Sequence, residues 1–122
     1  MRILFVYVNF IEEGFLPMGV ASLSGALKLK GHETDMFDSS FWIDESSGDN
    51  RTDRETGEKY HEYKKVGDYS FKRKKVNVIN EFRNKIKEFN PDLIACTSTS
   101  HEFNDLLKIL NVKSVKEKVL MY

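Results

Sequence analysis

Cysteine is almost absent: one residue, Cys96, in 122. A single thiol excludes an internal disulfide and any multi-cysteine zinc or iron–sulfur site built from this chain alone. Charge of one sign is missing too, because 19 Lys and Arg offset 19 Asp and Glu at a pI near 6.8. Without a basic surplus there is no electrostatic footprint for nucleic acid or an anionic membrane, and neither partner is expected. No apolar run approaches the roughly 18 residues of a membrane span. The first eight residues carry one Arg and run straight into a strand-like segment, unlike a signal peptide. Histidine is sparse, and His32, His61 and His101 show no metal-ligand spacing with one another or with Cys96. These absences leave a single domain over residues 1–122, expected in the cytoplasm, whose 40% hydrophobic content suffices for one modest core.

What is present follows an α/β rhythm. Residues 2–8 (RILFVYV) form a nearly continuous apolar and β-branched run, the pattern of a strand covered on both faces. After a loop, Pro17 offers a first-turn helix start, and Val20, Leu23 and Leu27 fall at i, i+3 and i+7. Ala21, Gly25 and Ala26 thin this helix for close packing on a sheet. Gly31 reads as its stop, preceded by Lys28 and Lys30 in the last turn. Residues 32–37 form a second strand and complete a βαβ unit. A second amphipathic helix carries Val78, Ile79, Phe82, Ile86 and Phe89 and ends at Asn90, before Pro91. Residues 92–97 (DLIACT) make a third strand. Thr99 or Ser100 can cap a helix holding Phe103, Leu106, Leu107 and Leu110. Residues 119–122 (VLMY) read as a fourth strand. An open parallel sheet does not normally finish on such a strand, so the sequence is expected to be the amino-terminal part of a longer protein, with the sheet cut short.

Between the second strand and the second helix, residues 39–74 break the rhythm. This insert is dominated by charged, Gly, Ser and Asn residues, with aromatics at Phe41, Trp42, Tyr60, Tyr63, Tyr69 and Phe71. A structureless loop of that length is unusual in a compact domain. Either it is partly disordered or its aromatics pin it to the core, with residues 58–66 a candidate hairpin strand.

Ligands of open α/β sheets bind outside the carboxyl ends of the strands, where strand order reverses. The loops concerned are residues 9–19 and 97–101. A dinucleotide fingerprint is absent, since only Gly14 and Gly19 are available. Gly14 and Gly19 have P-loop spacing, but Val20 and Ala21 stand where Lys and Ser/Thr are required. A phospho-acceptor receiver needs an Asp ending the third strand, where Thr97 and Ser98 stand instead. Cys96, inside a buried strand, reads as a small hydrophobe rather than a nucleophile. Catalysis by this chain is not expected; binding in the loops is.

One combination is more specific than its parts. Strand RILFVYV, then FLPMGVASLSGALKLKGHETDMFD, and later IKEFNPDLIACTSTSHEF together resemble the amino-terminal cobalamin-binding domain of radical SAM enzymes. The matching residues are Leu16, Pro17, Gly19, Gly31, His32, Lys87, Phe89, Pro91 and Asp92. The resemblance spans the chain except the insert. It implies a flavodoxin-like, Rossmann-like three-layer sheet of order 2-1-3-4(-5), with cobalamin over the carboxyl edge. The implied binding residues are Asn9, Leu16, Pro17, Met18, Gly19, Thr97, Ser98, Thr99 and Ser100.

Cobalamin domains of the methionine-synthase kind carry Asp-x-His-x-x-Gly after the first strand; residues 9–19 here contain no histidine. The resemblance therefore implies a corrinoid with no histidine ligand from this loop. The [4Fe-4S] cluster and S-adenosylmethionine would belong to a radical SAM barrel domain elsewhere in the full-length chain. The competing reading is a degenerate domain of the same fold, used as a substrate- or protein-interaction scaffold.

Overall fold

The computed structural model describes residues 1–9, 17–40, 42–44, 74–98, 102–111 and 119–121. In chain order the elements are β1 (Arg2–Tyr7), α1 (Met18–Leu29), β2 (Glu33–Asp38), β3 (Trp42–Asp44), β4 (Lys74–Val76), α2 (Val78–Phe89), β5 (Leu93–Thr97), α3 (Phe103–Leu110) and β6 (Val119–Met121). Four strands form one parallel sheet in the order β2-β1-β5-β6. This is the expected order, with the second strand outermost and then the first, third and fourth.

The continuous apolar run of β1 is explained by the packing on its two faces. Leu4, Val6 and Val8 point into a core with Phe82 of α2 and Leu106, Ile109 and Leu110 of α3. Ile3 and Phe5 point the other way, to a smaller core with Val20 of α1 and Ala95 of β5. The architecture is therefore α/β/α: α1 on one face of the sheet, α2 and α3 on the other.

Helix α1 turns differently from the expected i, i+3, i+7 pattern. Val20 is buried, Ser24 and Leu27 are half-buried, but Leu23 is exposed. The inward stripe is thus Val20, Ser24, Leu27, at i, i+4 and i+7, with a Ser24–Thr34 hydroxyl bond of 2.6 Å tying it to β2. Ala21, Gly25 and Ala26 lie on the solvent side rather than against the sheet, and a Cβ at Gly25 would meet nothing within 4 Å. Leu29 is 89% exposed.

Both long helices end as the sequence proposes. After α1, the Gly31 N–H donates to the Lys28 carbonyl and the His32 N–H to the Leu27 carbonyl, with Gly31 at φ 81°. That pair of bonds is a Schellman motif, and it needs a residue tolerant of the left-handed region. After α2, Asn90 takes the left-handed conformation at φ 45° and its N–H donates to the Ile86 carbonyl. The α2 amino end is capped by Asn77, whose Oδ1 accepts the Asn80 N–H.

The chain then returns to β1. Asp92 accepts the Arg2 N–H at 2.7 Å and donates its own N–H to the Arg2 carbonyl at 2.8 Å. The Arg2 guanidinium lies 4.7 Å from the Phe89 ring centre. Gly31, His32, Phe89, Pro91 and Asp92 therefore all lie at the amino ends of β2 and β5. In this fold they turn the chain and set the register.

The two ends of the insert form regular structure. Trp42 to Asp44 pair in parallel with Lys74 to Val76 as a separate two-stranded sheet. Trp42 packs edge-on against Phe37, centroids 5.3 Å apart, and Phe37 packs edge-on against Phe82 at 5.0 Å. The expectation that aromatics pin the insert thus holds at Trp42. The candidate hairpin strand at 58–66 lies outside the described residues. So do Phe41, Tyr60, Tyr63, Tyr69 and Phe71.

Candidate functional site at the carboxyl edge

From β1 the chain crosses to β2 on one side, while β5 flanks β1 on the other. In open α/β sheets, the edge outside the carboxyl ends of the strands at such a reversal is where ligands bind. The strand register sets this edge, since Tyr7 pairs with Thr97 at the last rung of the two strands.

The exit of β1 is stitched to the exit of β2. Ser39, 0% exposed, donates its N–H to the Tyr7 carbonyl and accepts the Asn9 N–H on Oγ at 2.9 Å. The Asn9 side-chain amide donates to Ser40 Oγ at 3.2 Å, and Ser40 Oγ donates to Asp38 Oδ1 at 2.6 Å. Asn9 is thus in the expected place, with its amide engaged in holding two loops together. Ser39 and Ser40 are the residues the sequence reading missed, because there they belonged to the start of a polar insert. The signal available was their position directly after a strand that pairs with β1.

The first turn of α1 sits on the same edge. Pro17 occupies the N-cap position, one place earlier than expected, and its carbonyl accepts the Ala21 N–H. Among the described residues no side chain caps this helix start. Met18 is 68% exposed, and a Cβ built on Gly19 would meet nothing within 4 Å. Pro17, Met18 and Gly19 therefore present a small, open and mainly apolar surface. On the same edge, Thr97 and Ser98 are half-buried at the end of β5. Leu16, Thr99, Ser100 and His101 lie outside the described residues.

The expected cap of α3 is displaced. Its N-cap is Glu102, not Thr99 or Ser100, and Glu102 makes no side-chain capping bond. Glu102 is only 3% exposed, a buried acid that nothing in the sequence pattern marks.

Cys96 belongs to the core shared with α2 and α3, and burial pushes its thiol up to about 11. A shift of that size leaves on the order of a hundredfold less thiolate near neutral pH, so the sulfur is a packing group. In the folded protein Cys96 is expected to react with Ellman's reagent only as fast as β5 opens, and rapidly once urea unfolds the chain. Free-thiol kinetics in the native state would contradict this burial.

Among the described residues no group of three His, Cys, Asp or Glu could hold a metal ion, and no helix is long and apolar enough to cross a membrane. A hollow of about 250 Å³ opens between α1 and β2, beside Val20, Ser24, Thr34 and Met36. It flanks α1 rather than bridging β1 and β5. Chemically, the described part of this edge offers hydroxyls, backbone groups and an apolar surface, which is equipment for binding. No protein-family profile, no curated protein and no solved structure matches this chain.

Proposed function

We propose that this chain is a cobalamin-binding module of flavodoxin-like fold, serving a radical SAM enzyme of the cytoplasm. The observation that carries the reading is the exposed first turn of α1 at Pro17, Met18 and Gly19, uncapped among the described residues, on the same sheet edge as Thr97 and Ser98. A corrin ring asks for a flat apolar support and a few small hydrogen-bonding groups for its amide arms. Met18 and Pro17 supply the first in kind, and Thr97 and Ser98 the second. Leu16, Thr99 and Ser100 extend the same two sets along the chain.

When bound, cobalamin would carry a methyl group or a radical between cobalt and substrate. The chain's own residues would hold and orient the ring. Asn9 and Ser39 would act one step back, fixing the β1 exit so that the first turn of α1 keeps its place. The [4Fe-4S] cluster, S-adenosylmethionine and the substrate would belong to a partner barrel domain. A scaffold reading, in which the cofactor has been lost, is favoured by one observation: the Asn9 amide is already bonded to Ser40.

Titration with hydroxocobalamin, followed by its visible spectrum, tests the proposal. Saturable binding is expected, with no spectrum of histidine ligation. Met18→Asp should weaken it about tenfold, because a solvated carboxylate would be set against the ring. No binding at high micromolar cofactor would leave the scaffold reading standing. A histidine-ligated spectrum that vanishes in His101→Ala would refute the ligation claim.

A further inference from the structure

The outermost strand carries an unusual composition. β2 reads ETDMFD, three acids in six residues, although Asp and Glu are depleted in strands. Among the described residues nothing pairs with its outer side, and it is the edge strand of the main sheet as described. A free edge is a template for strand addition unless its backbone groups are occupied or its side chains repel a second strand.

The hydrogen bonds show which groups face outward. Glu33 donates its N–H to the Met1 carbonyl and Ser39 its N–H to the Tyr7 carbonyl, so odd-numbered residues bond β1. Alternation along the strand turns the N–H groups of Thr34, Met36 and Asp38 to the free side. The Met36 N–H, at the middle of that edge, is already taken: it donates to Asp35 Oδ1 at 2.8 Å. The other carboxylate oxygen, Oδ2, is held by Lys85 Nζ of α2 at 2.6 Å. One carboxylate thus bridges the edge amide to a helix behind the sheet. Burial alone would raise the Asp35 carboxyl, but the Lys85 and Met36 hydrogen bonds and the charges of Lys85 and Lys28 outweigh it and hold it below the ordinary aspartate value.

We propose that Asp35 is an edge guard: by occupying the Met36 N–H it prevents β2 from pairing with β2 of a second copy of this chain. A second copy is the natural intruder, because two identical edges brought together antiparallel about a dyad are self-complementary. In the register centred on Asp35, Thr34 would meet Met36 of the other copy as a hydrogen-bonded pair and Asp35 would meet the second copy's Asp35. Like charges directly opposite each other destabilise a strand pair, so the acids add repulsion to the blocked donor.

The experiment is sedimentation equilibrium of the whole chain, with amide exchange at Met36 read in dilute protein. Wild type should remain monomeric. Asp35→Ala should expose the Met36 amide to exchange and tighten self-association about thirtyfold, one net hydrogen bond from each of two copies. Adding Met36→Pro to Asp35→Ala removes the freed donor at an edge position and should return association to the wild-type level. Lys85→Met leaves the β2 sequence intact, loosens the carboxylate and should raise association by a smaller factor. The proposal falls if Asp35→Ala and Lys85→Met both sediment as wild type does. It also falls if the association that appears is unchanged by Met36→Pro, which would make it a product of unfolding.

Discussion

Replacing Phe82 with alanine is expected to cost about 3–5 kcal/mol, the usual range for emptying a buried aromatic site. Phe82 is 0% exposed and sits where α2 meets the sheet, against the same core as Leu4, Val6 and Ile94. Its ring also anchors a chain of edge-on contacts through Phe37 to Trp42. A domain of this size has only about 5–15 kcal/mol of stability in total, so the variant should lie near its unfolding threshold. Urea titration measures the loss. Trp42, the single tryptophan, supplies the local signal, and its emission should shift as the stack loosens. A loss under about 1 kcal/mol would mean that the cavity collapses or that the core is not packed as described.

Gly31→Val should be the next most damaging change, at about 2 kcal/mol. It leaves the packing untouched, for a Cβ there meets nothing within 4 Å. The cost comes from backbone conformation: at φ 81° an L-residue crowds its own carbonyl, and a β-branched one more so. Gly31→Asn should lose much less than Gly31→Val, because Asn tolerates the left-handed region. Thermal melts of the two variants decide the matter. Equal losses would show that space, not φ, governs the position.

The contrast between these two sites indicates what the sequence makes legible. Gly31 and Pro91 are punctuation whose effect is local and steric, so the ends of α1 and α2 can be read directly. The strand order could be anticipated because β1 and the DLIACT strand are too apolar to sit anywhere but the middle. β3 and β4 could not, because three-residue strands carry no periodicity and WID and KKV are embedded in a polar stretch. The inward face of α1 was misread for a related reason: a helix of Ala, Gly, Ser and Leu has no polar side to fix its rotation, and the Ser24–Thr34 bond helps to choose it.

The candidate site is less legible than the fold, and for a physical cause. Five of the nine residues that carry the resemblance, Gly31, His32, Phe89, Pro91 and Asp92, act at the amino ends of the strands. They inform about turns and register. The carboxyl edge, where a ligand would lie, depends on Asn9, Ser39, Ser40 and Glu102, whose burial and bonding arise only once distant loops meet. Ser39 is an ordinary serine until β2 lies beside β1 and the Asn9 N–H needs an acceptor.

The pairing of Ile3 with Leu93 has a consequence for the way this chain is made. β1 leaves the ribosome well before β5, because paired residues of the two strands such as Ile3 and Leu93 are 90 positions apart. At about 5–20 residues per second, roughly 5–20 s pass before β5 is available. During that interval β1, α1 and β2 can assemble, but Leu4 and Val6 still lack the α2 and α3 side chains that later cover them. The nascent chain therefore presents an apolar strand with one open side, the kind of segment that chaperones bind. The finished fold should form slowly for its size, because closing so long a separation precedes most of the contacts that reward it.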